Sequence, residues 1–100
     1  MSAPTRDPST TQDEIVINWL PLSSPQNGDS EVTSYNLQWF SNGQWKSLVG
    51  MLPGSITTQF LLTSNIERGS IYQFRVRAEN NFGWSVFSDV TSIKAAGIPY

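Results

Sequence analysis

Apolar and polar residues alternate along several short segments of this chain. The clearest is residues 70–79, in which Tyr72, Phe74, Val76 and Ala78 share one predicted face. Gln73, Arg75, Arg77 and Glu79 share the other. A period of two is typical of β-strands with one buried face, because successive side chains point to opposite sides. Since no segment shows a helical period, the pattern predicts an all-β protein.

Turn-forming residues separate these alternating segments. The predicted strands are residues 14–20, 34–40, 44–49, 57–63, 70–79 and 87–94, with a weak additional strand within residues 1–13. Asn42-Gly43 is the dipeptide favoured in a two-residue hairpin, because both positions require positive φ. Seven short strands, each with one apolar face, predict a seven-stranded antiparallel sandwich of two sheets.

The inward positions of these strands define a predicted core. A large apolar side chain contributes about 1.5–3 kcal/mol when fully buried. The residues expected to supply most of this stabilisation are Ile15, Ile17, Trp19, Tyr35, Leu37, Phe74 and Val76.

Composition narrows the functions that this fold is expected to serve. The 100 residues make one domain, and the formal net charge of −2 does not favour nucleic-acid binding. The chain has no cysteine or histidine and therefore lacks thiolate ligands and the commonest general base. The carboxylates form no spaced pair beside a nucleophile, and no apolar run is long enough for membrane insertion. We therefore expect no enzyme activity and assign no catalytic, metal or cofactor-binding residue.

Several motifs together resemble the fibronectin type III family. Ile15, Ile17 and Trp19 form an I-x-I-x-W strand followed by Pro21. Residues 27–39 are similar to the family's loop into its third strand, and residues 72–88 (YQFRVRAENNFGWSVFS) to its longest strand and the following turn. The resemblance covers residues 14–94. It leaves residues 1–13 as an N-terminal segment with a weak first strand, and residues 95–100 as an inter-domain linker.

The resemblance also implies a structural role for Tyr72. Ile66, Gly69 and Tyr72 match the family's L-x-P-G-x-x-Y corner. In this tyrosine corner the hydroxyl is expected to bond backward to the backbone near Ile66, which adds Tyr72 to the predicted core.

The resemblance implies a binding or spacing role. The favoured interpretation is that this chain is a non-catalytic module, monomeric in isolation, within a tandem, multidomain adhesion or scaffold protein. Its partner would be another protein or a neighbouring domain. The alternatives are a cytokine-receptor-like ligand-binding domain, an accessory module of a carbohydrate-active enzyme and an intracellular scaffold. An extracellular or cell-surface location is favoured, although the sequence itself leaves the compartment open.

Two candidate sites involve the last predicted loop of the chain. Phe82 and Trp84 are large apolar residues in a loop and are candidates for partner binding. Residues 84–88 (WSVFS) resemble the W-S-x-W-S box of cytokine receptors, with Phe87 at the second tryptophan position. This resemblance predicts a cation–π ladder of Arg75, Trp84 and Arg77, with Phe87 nearby. In that alternative Trp84 folds back onto its own sheet.

Overall fold

Eight β-strands and no helix make up the part of the chain that the structure describes. This computed structural model describes residues 3–21, 31–41, 43–50, 54–63 and 66–95. The strands are β1 (Thr5–Arg6), β2 (Ile15–Asn18), β3 (Ser34–Ser41), β4 (Gln44–Val49), β5 (Gln59–Leu62), β6 (Ile71–Asn80), β7 (Gly83–Trp84) and β8 (Thr91–Lys94). Within these ranges no helix suited to crossing a bilayer is found.

The strands form two antiparallel sheets. The smaller sheet has the order β1-β2-β5, and the larger has the order β4-β3-β6-β7, with β8 also pairing with β6. The all-β, two-sheet prediction is confirmed, with eight strands instead of seven. The difference lies after β6. β8 falls within the predicted strand 87–94, whereas β7 lies outside every strand predicted from the sequence, and both pair with the same edge of β6.

The first strand pairs with β2, a choice that the sequence left open. Arg6 lies opposite Ile17, and the Asp7 backbone N–H continues the pairing by donating to the Val16 carbonyl at 2.9 Å. Farther along, the Thr10 hydroxyl accepts from the Val16 N–H (3.0 Å) and donates to the Val16 carbonyl (3.3 Å). A buried threonine side chain thus replaces backbone pairing where the strand diverges.

Asp7 also joins this edge to the outer face of the smaller sheet. One carboxylate oxygen accepts from the Asn18 amide at 2.6 Å. The other accepts from the Ser9 hydroxyl and backbone N–H at 2.5 and 2.9 Å. The hydrogen bonds from Ser9 are the main cause that lowers the pKa of Asp7, and the bond from Asn18 adds to them.

The space between the sheets is filled mainly by the residues at the predicted inward positions. Ile15, Ile17, Leu37, Phe74 and Val76 are completely buried. Trp19 and Tyr35 are also buried, with ring centres 6.4 Å apart in an edge-on contact. The buried cluster also includes Trp39, Leu62, Ala78, Ile93 and Ala95, which were not among the residues assigned to the core from sequence.

Tyr72 lies at the margin of this core and not within it. Its ring is half-buried and packs 5.6 Å from Trp39, measured between ring centres. Its hydroxyl accepts a hydrogen bond of 2.7 Å from the Glu67 backbone N–H. The hydroxyl must reach the exposed turn before β6, and this requirement keeps the ring from full burial.

Candidate functional site

The outer face of the larger sheet carries two arginines on its central strand. Alternation along β6 buries Phe74 and Val76 and turns Arg75 and Arg77 outward. The β3–β6 register places Gln38 opposite Arg75. Arg75 donates from Nε and Nη2 to the Gln38 Oε1 at 3.1 and 2.8 Å. Asn36 lies opposite Arg77 in the same way, and its Oδ1 accepts from the Arg77 Nε at 3.1 Å.

Aromatic rings alternate with these two guanidinium groups across the face. The Arg75 Cζ lies 4.2 Å from the ring centre of Trp45 and 3.8 Å from that of Phe87. The Arg77 Cζ lies 4.5 Å from Phe87 and 4.6 Å from Trp84. All four distances are within the range of cation–π attraction, about 6 Å. We call the series Trp45, Arg75, Phe87, Arg77, Trp84 the aromatic–arginine ladder.

The ladder has a different order from the one predicted. Phe87, instead of Trp84, separates the two arginines, and Trp84 contacts Arg77 at the end of the series. Trp45 was not predicted to take part. It lies on β4, opposite Phe40 and outward like it, with ring centres 5.5 Å apart. Nothing local in the sequence indicated that β4 and β6 flank the same strand.

The electrostatic state of Arg75 follows from this packing. Burial among the rings lowers its pKa, and the positive charge of Arg77 lowers it further. Arg75 has no carboxylate partner among the residues that the structure describes. Its charge interacts with the amide oxygen of Gln38 and with the rings of Trp45 and Phe87.

The segment between β7 and β8 holds the ladder's rings through a repeat of three residues. Trp84 and Phe87 point to the arginines, while Ser85 and Ser88 point to β6. Because residues 85–90 lie outside any strand, Ser85 and Ser88 form hydrogen bonds with β6 individually.

Serine hydroxyls supply the acceptors that a continuous strand would have offered. The Ser85 and Ser88 N–H groups donate to the Ala78 and Val76 carbonyls at 2.7 and 2.8 Å. In return, the Ser85 and Ser88 hydroxyls accept from the Ala78 and Val76 N–H groups, each at 3.0 Å. The backbone N–H and carbonyl groups at this edge of β6 are therefore hydrogen-bonded without regular strand pairing.

Ser88→Ala is expected to lower the free energy of unfolding by about 1–3 kcal/mol, because it leaves the buried Val76 N–H without an acceptor. Urea denaturation followed by tryptophan fluorescence measures this change. Ser92→Ala, on the exposed side of β8, is the matched control and should change stability by less than about 0.5 kcal/mol. Equal effects of the two substitutions would contradict the role given to the Ser88 hydroxyl.

A second surface lies at the end of the sandwich where β2 and β6 finish. There the Trp19 N–H donates to the Thr58 carbonyl and the Thr33 N–H to the Glu79 carbonyl, at 3.0 and 2.8 Å. Three large apolar residues lie at this end and are strongly exposed: Leu20 (69%), Ile56 (70%) and Phe82 (84%). We call them the apolar pole.

The structure thus separates the two residues that the sequence grouped as one binding loop. Phe82 is in the two-residue connection between β6 and β7, where its N–H donates to the Asn80 Oδ1 at 2.8 Å. Trp84 is half-buried on the ladder. Leu20 and Ile56 were not predicted as site residues, because the sequence does not indicate that a single aliphatic residue is exposed.

In the described part of the chain, no three histidine, cysteine, aspartate or glutamate residues are grouped as metal ligands.

The chain belongs to the fibronectin type III family, whose model matches residues 2–94. Members of this family are generally non-catalytic binding or spacer modules. A relative from Xenopus laevis, named "Cell adhesion molecule-related/down-regulated by oncogenes", is 34% identical over 92 residues. That alignment covers 89% of this chain but only 7% of the relative's length.

Solved structures of fibronectin type III domains share the fold. A human fourth FNIII domain superposes with a TM-score of 0.77 at 18% identity, covering 97% of this chain and 78% of that one. The sixth such domain of the human fibronectin type III domain containing protein 3 gives 0.74 at 20% identity, with 99% and 86% covered. Module A71 of titin from human cardiac muscle gives 0.67 at 21% identity, with 95% and 89% covered.

Proposed function

We propose that this chain is a protein-interaction module of a multidomain adhesion or scaffold protein, and that it binds through its apolar pole. The partner is either a separate protein or the adjoining domain of the same chain. The observation that carries this proposal is the exposure of Leu20, Ile56 and Phe82 at one end of the sandwich. The relative whose name refers to cell adhesion supports the adhesion context.

The apolar pole has the features of a recognition surface. Its residues lie beside loops on a rigid sandwich, where variation in the loops leaves the core unchanged. Aromatic anchors such as Phe82 dominate the energy of many interfaces. Phe82 contributes almost nothing to the stability of this fold, since 84% of its surface is in water. A large aromatic residue so exposed is better explained by binding to a partner.

A photo-crosslinking amino acid at position 82 of the full-length protein tests the proposal in cells. Ile71 is the matched control position, because it is 65% exposed and lies at the opposite end of β6. We expect a crosslinked product from position 82 and little from position 71. Mass spectrometry of that product distinguishes a separate partner from an adjoining domain. Similar yields at both positions would contradict binding at the apolar pole.

Phe82→Ser is expected to weaken binding of the crosslinked partner by about tenfold or more, because it removes the aromatic anchor. Its free energy of unfolding should change by less than about 0.5 kcal/mol. Surface plasmon resonance with that partner measures the affinity, and Ile71→Ser is the control. Unchanged affinity in Phe82→Ser would leave spacing between domains as the remaining function.

A cytokine-receptor-like domain is the second candidate. It is favoured by residues 84–88 and by the ladder that these residues form with Arg75 and Arg77. The two candidates differ in what adjoins the module. A receptor requires a preceding domain with four cysteines and a following transmembrane helix, and sequencing of the parent transcript would detect both.

A further inference from the structure

The aromatic–arginine ladder leaves one edge of a guanidinium group available for a ligand. Arg75 uses Nε and one Nη2 proton to bond the Gln38 side chain. Its Nη1 group makes no hydrogen bond to any residue that the structure describes. A guanidinium carries five N–H donors in a fixed plane. The free end, formed by Nη1 and the second Nη2 proton, is the edge that binds a carboxylate in a bidentate manner.

The rings on both sides hold this donor edge in place. Trp45 and Phe87 both pack against the Arg75 guanidinium, with Cζ 4.2 and 3.8 Å from the ring centres, and this packing restricts the directions from which a ligand can approach. Flexible arginines lose side-chain entropy when they bind, whereas a stacked guanidinium has already lost most of it. The stacking therefore favours binding as well as stabilising the fold.

The charges on this face favour an anionic ligand. Arg75 lacks a carboxylate partner among the described residues, and the charge of Arg77 is close enough to lower its pKa. Lys94, opposite Ile71 in the register, points to the same side. Glu79 lies two residues beyond Arg77 on the same face of β6, and its Oε1 accepts from the Thr33 hydroxyl at 3.3 Å. An anion bound at Arg75 would reduce the repulsion between the two arginines.

The spacing of the arginines matches an extended peptide. Arg75 and Arg77 are two residues apart on β6, which corresponds to about 7 Å along a strand. Side chains at alternate positions of an extended peptide have the same spacing and direction. We propose that this face binds an extended acidic peptide segment, with one carboxylate hydrogen-bonded by Arg75 and a second, two residues along, attracted by the charge of Arg77. Phe40, 39% exposed beside Trp45, offers an apolar contact at one end.

Two synthetic peptides test this inference on the isolated module. One alternates glutamate with threonine, and the other has glutamine at every glutamate position. In NMR titrations we expect the glutamate peptide to shift the Arg75 Nε–H and the indole N–H signals of Trp45 and Trp84. The glutamine peptide should leave them unchanged, and added salt should weaken the interaction. Equal shifts with both peptides, or none with either, would overturn the proposal.

Substitutions then identify the residue that binds. Arg75→Gln should weaken binding of the glutamate peptide by about tenfold. Arg75→Lys keeps the charge but not the planar edge, so its affinity for the peptide should lie between those of Arg75→Gln and the unchanged module. Phe82→Ser should bind the peptide normally, because Phe82 is not part of the ladder. This proposal is therefore tested independently of the apolar pole. If inorganic sulfate causes the same shifts at the same concentration, the face is a simple anion site and the peptide assignment is wrong. If Arg75→Gln loses its dispersed spectrum, the comparison of the two peptides on the unchanged module decides.

Discussion

Gly50→Ala is expected to lower the free energy of unfolding by about 4–5 kcal/mol, an unusually large loss for one methyl group. A Cβ at Gly50 would lie 1.8 Å from the Tyr35 carbonyl oxygen and 2.6 Å from its carbon. Both are backbone atoms of β3, so a rotamer change cannot relieve the collision. The φ of +96° at Gly50 adds strain for any other residue.

The structure around Gly50 also prevents the chain from moving aside. The Ser34 hydroxyl donates to the Gly50 carbonyl at 2.7 Å, and the Tyr35 N–H donates to the Ser55 carbonyl at 2.7 Å. The chain is therefore tied to β3 on both sides of the collision. A 100-residue domain is typically stable by about 5–15 kcal/mol, so this single change is expected to bring the module close to unfolding.

Gly69→Ala separates collision from backbone strain. Gly69 has a comparable φ of +81°, but no atom lies within 4 Å of its added Cβ. The free energy of unfolding of Gly69→Ala should fall only by the cost of a left-handed residue, about 1–2 kcal/mol. Urea denaturation of both variants measures the difference. Similar losses at the two glycines would show that the approach of Gly50 to Tyr35 relaxes without penalty.

Phe74→Ala is expected to lower the free energy of unfolding by about 3–5 kcal/mol. Phe74 is completely buried on β6, which pairs with β3 on one side and β8 on the other. Trp39 lies directly opposite it in the register. Because hydrogen bonds hold the strands on both sides, the structure cannot collapse into the space that the ring leaves, and the cavity adds to the lost burial.

Ile71→Ala, on the same strand, is the control for the Phe74 substitution. Its side chain is 65% exposed, and the change in unfolding free energy should be less than about 0.5 kcal/mol. Thermal denaturation of the two variants provides the measurement. A loss below about 2 kcal/mol at Phe74 would mean that neighbouring side chains fill the cavity.

Sequence alternation was sufficient to predict most of the strands and the faces of their side chains. A strand has only two faces, so the parity of Phe74 and Val76 assigned Arg75 and Arg77 to the opposite one. The match of residues 84–88 to a known box was sufficient to direct Trp84 and Phe87 to those arginines.

The tertiary structure decided which strands are neighbours and therefore which outward residues meet. Trp45 reaches Arg75 because β4 and β6 both pair with β3, and the first strand pairs with β2. Between β7 and β8 the regular pairing with β6 is interrupted, and Ser85 and Ser88 offer side-chain acceptors in place of backbone ones. The close approach of Gly50 to Tyr35 likewise exists only in the folded chain. Local pattern encodes a residue's face, whereas its partners depend on packing between segments that are distant in sequence.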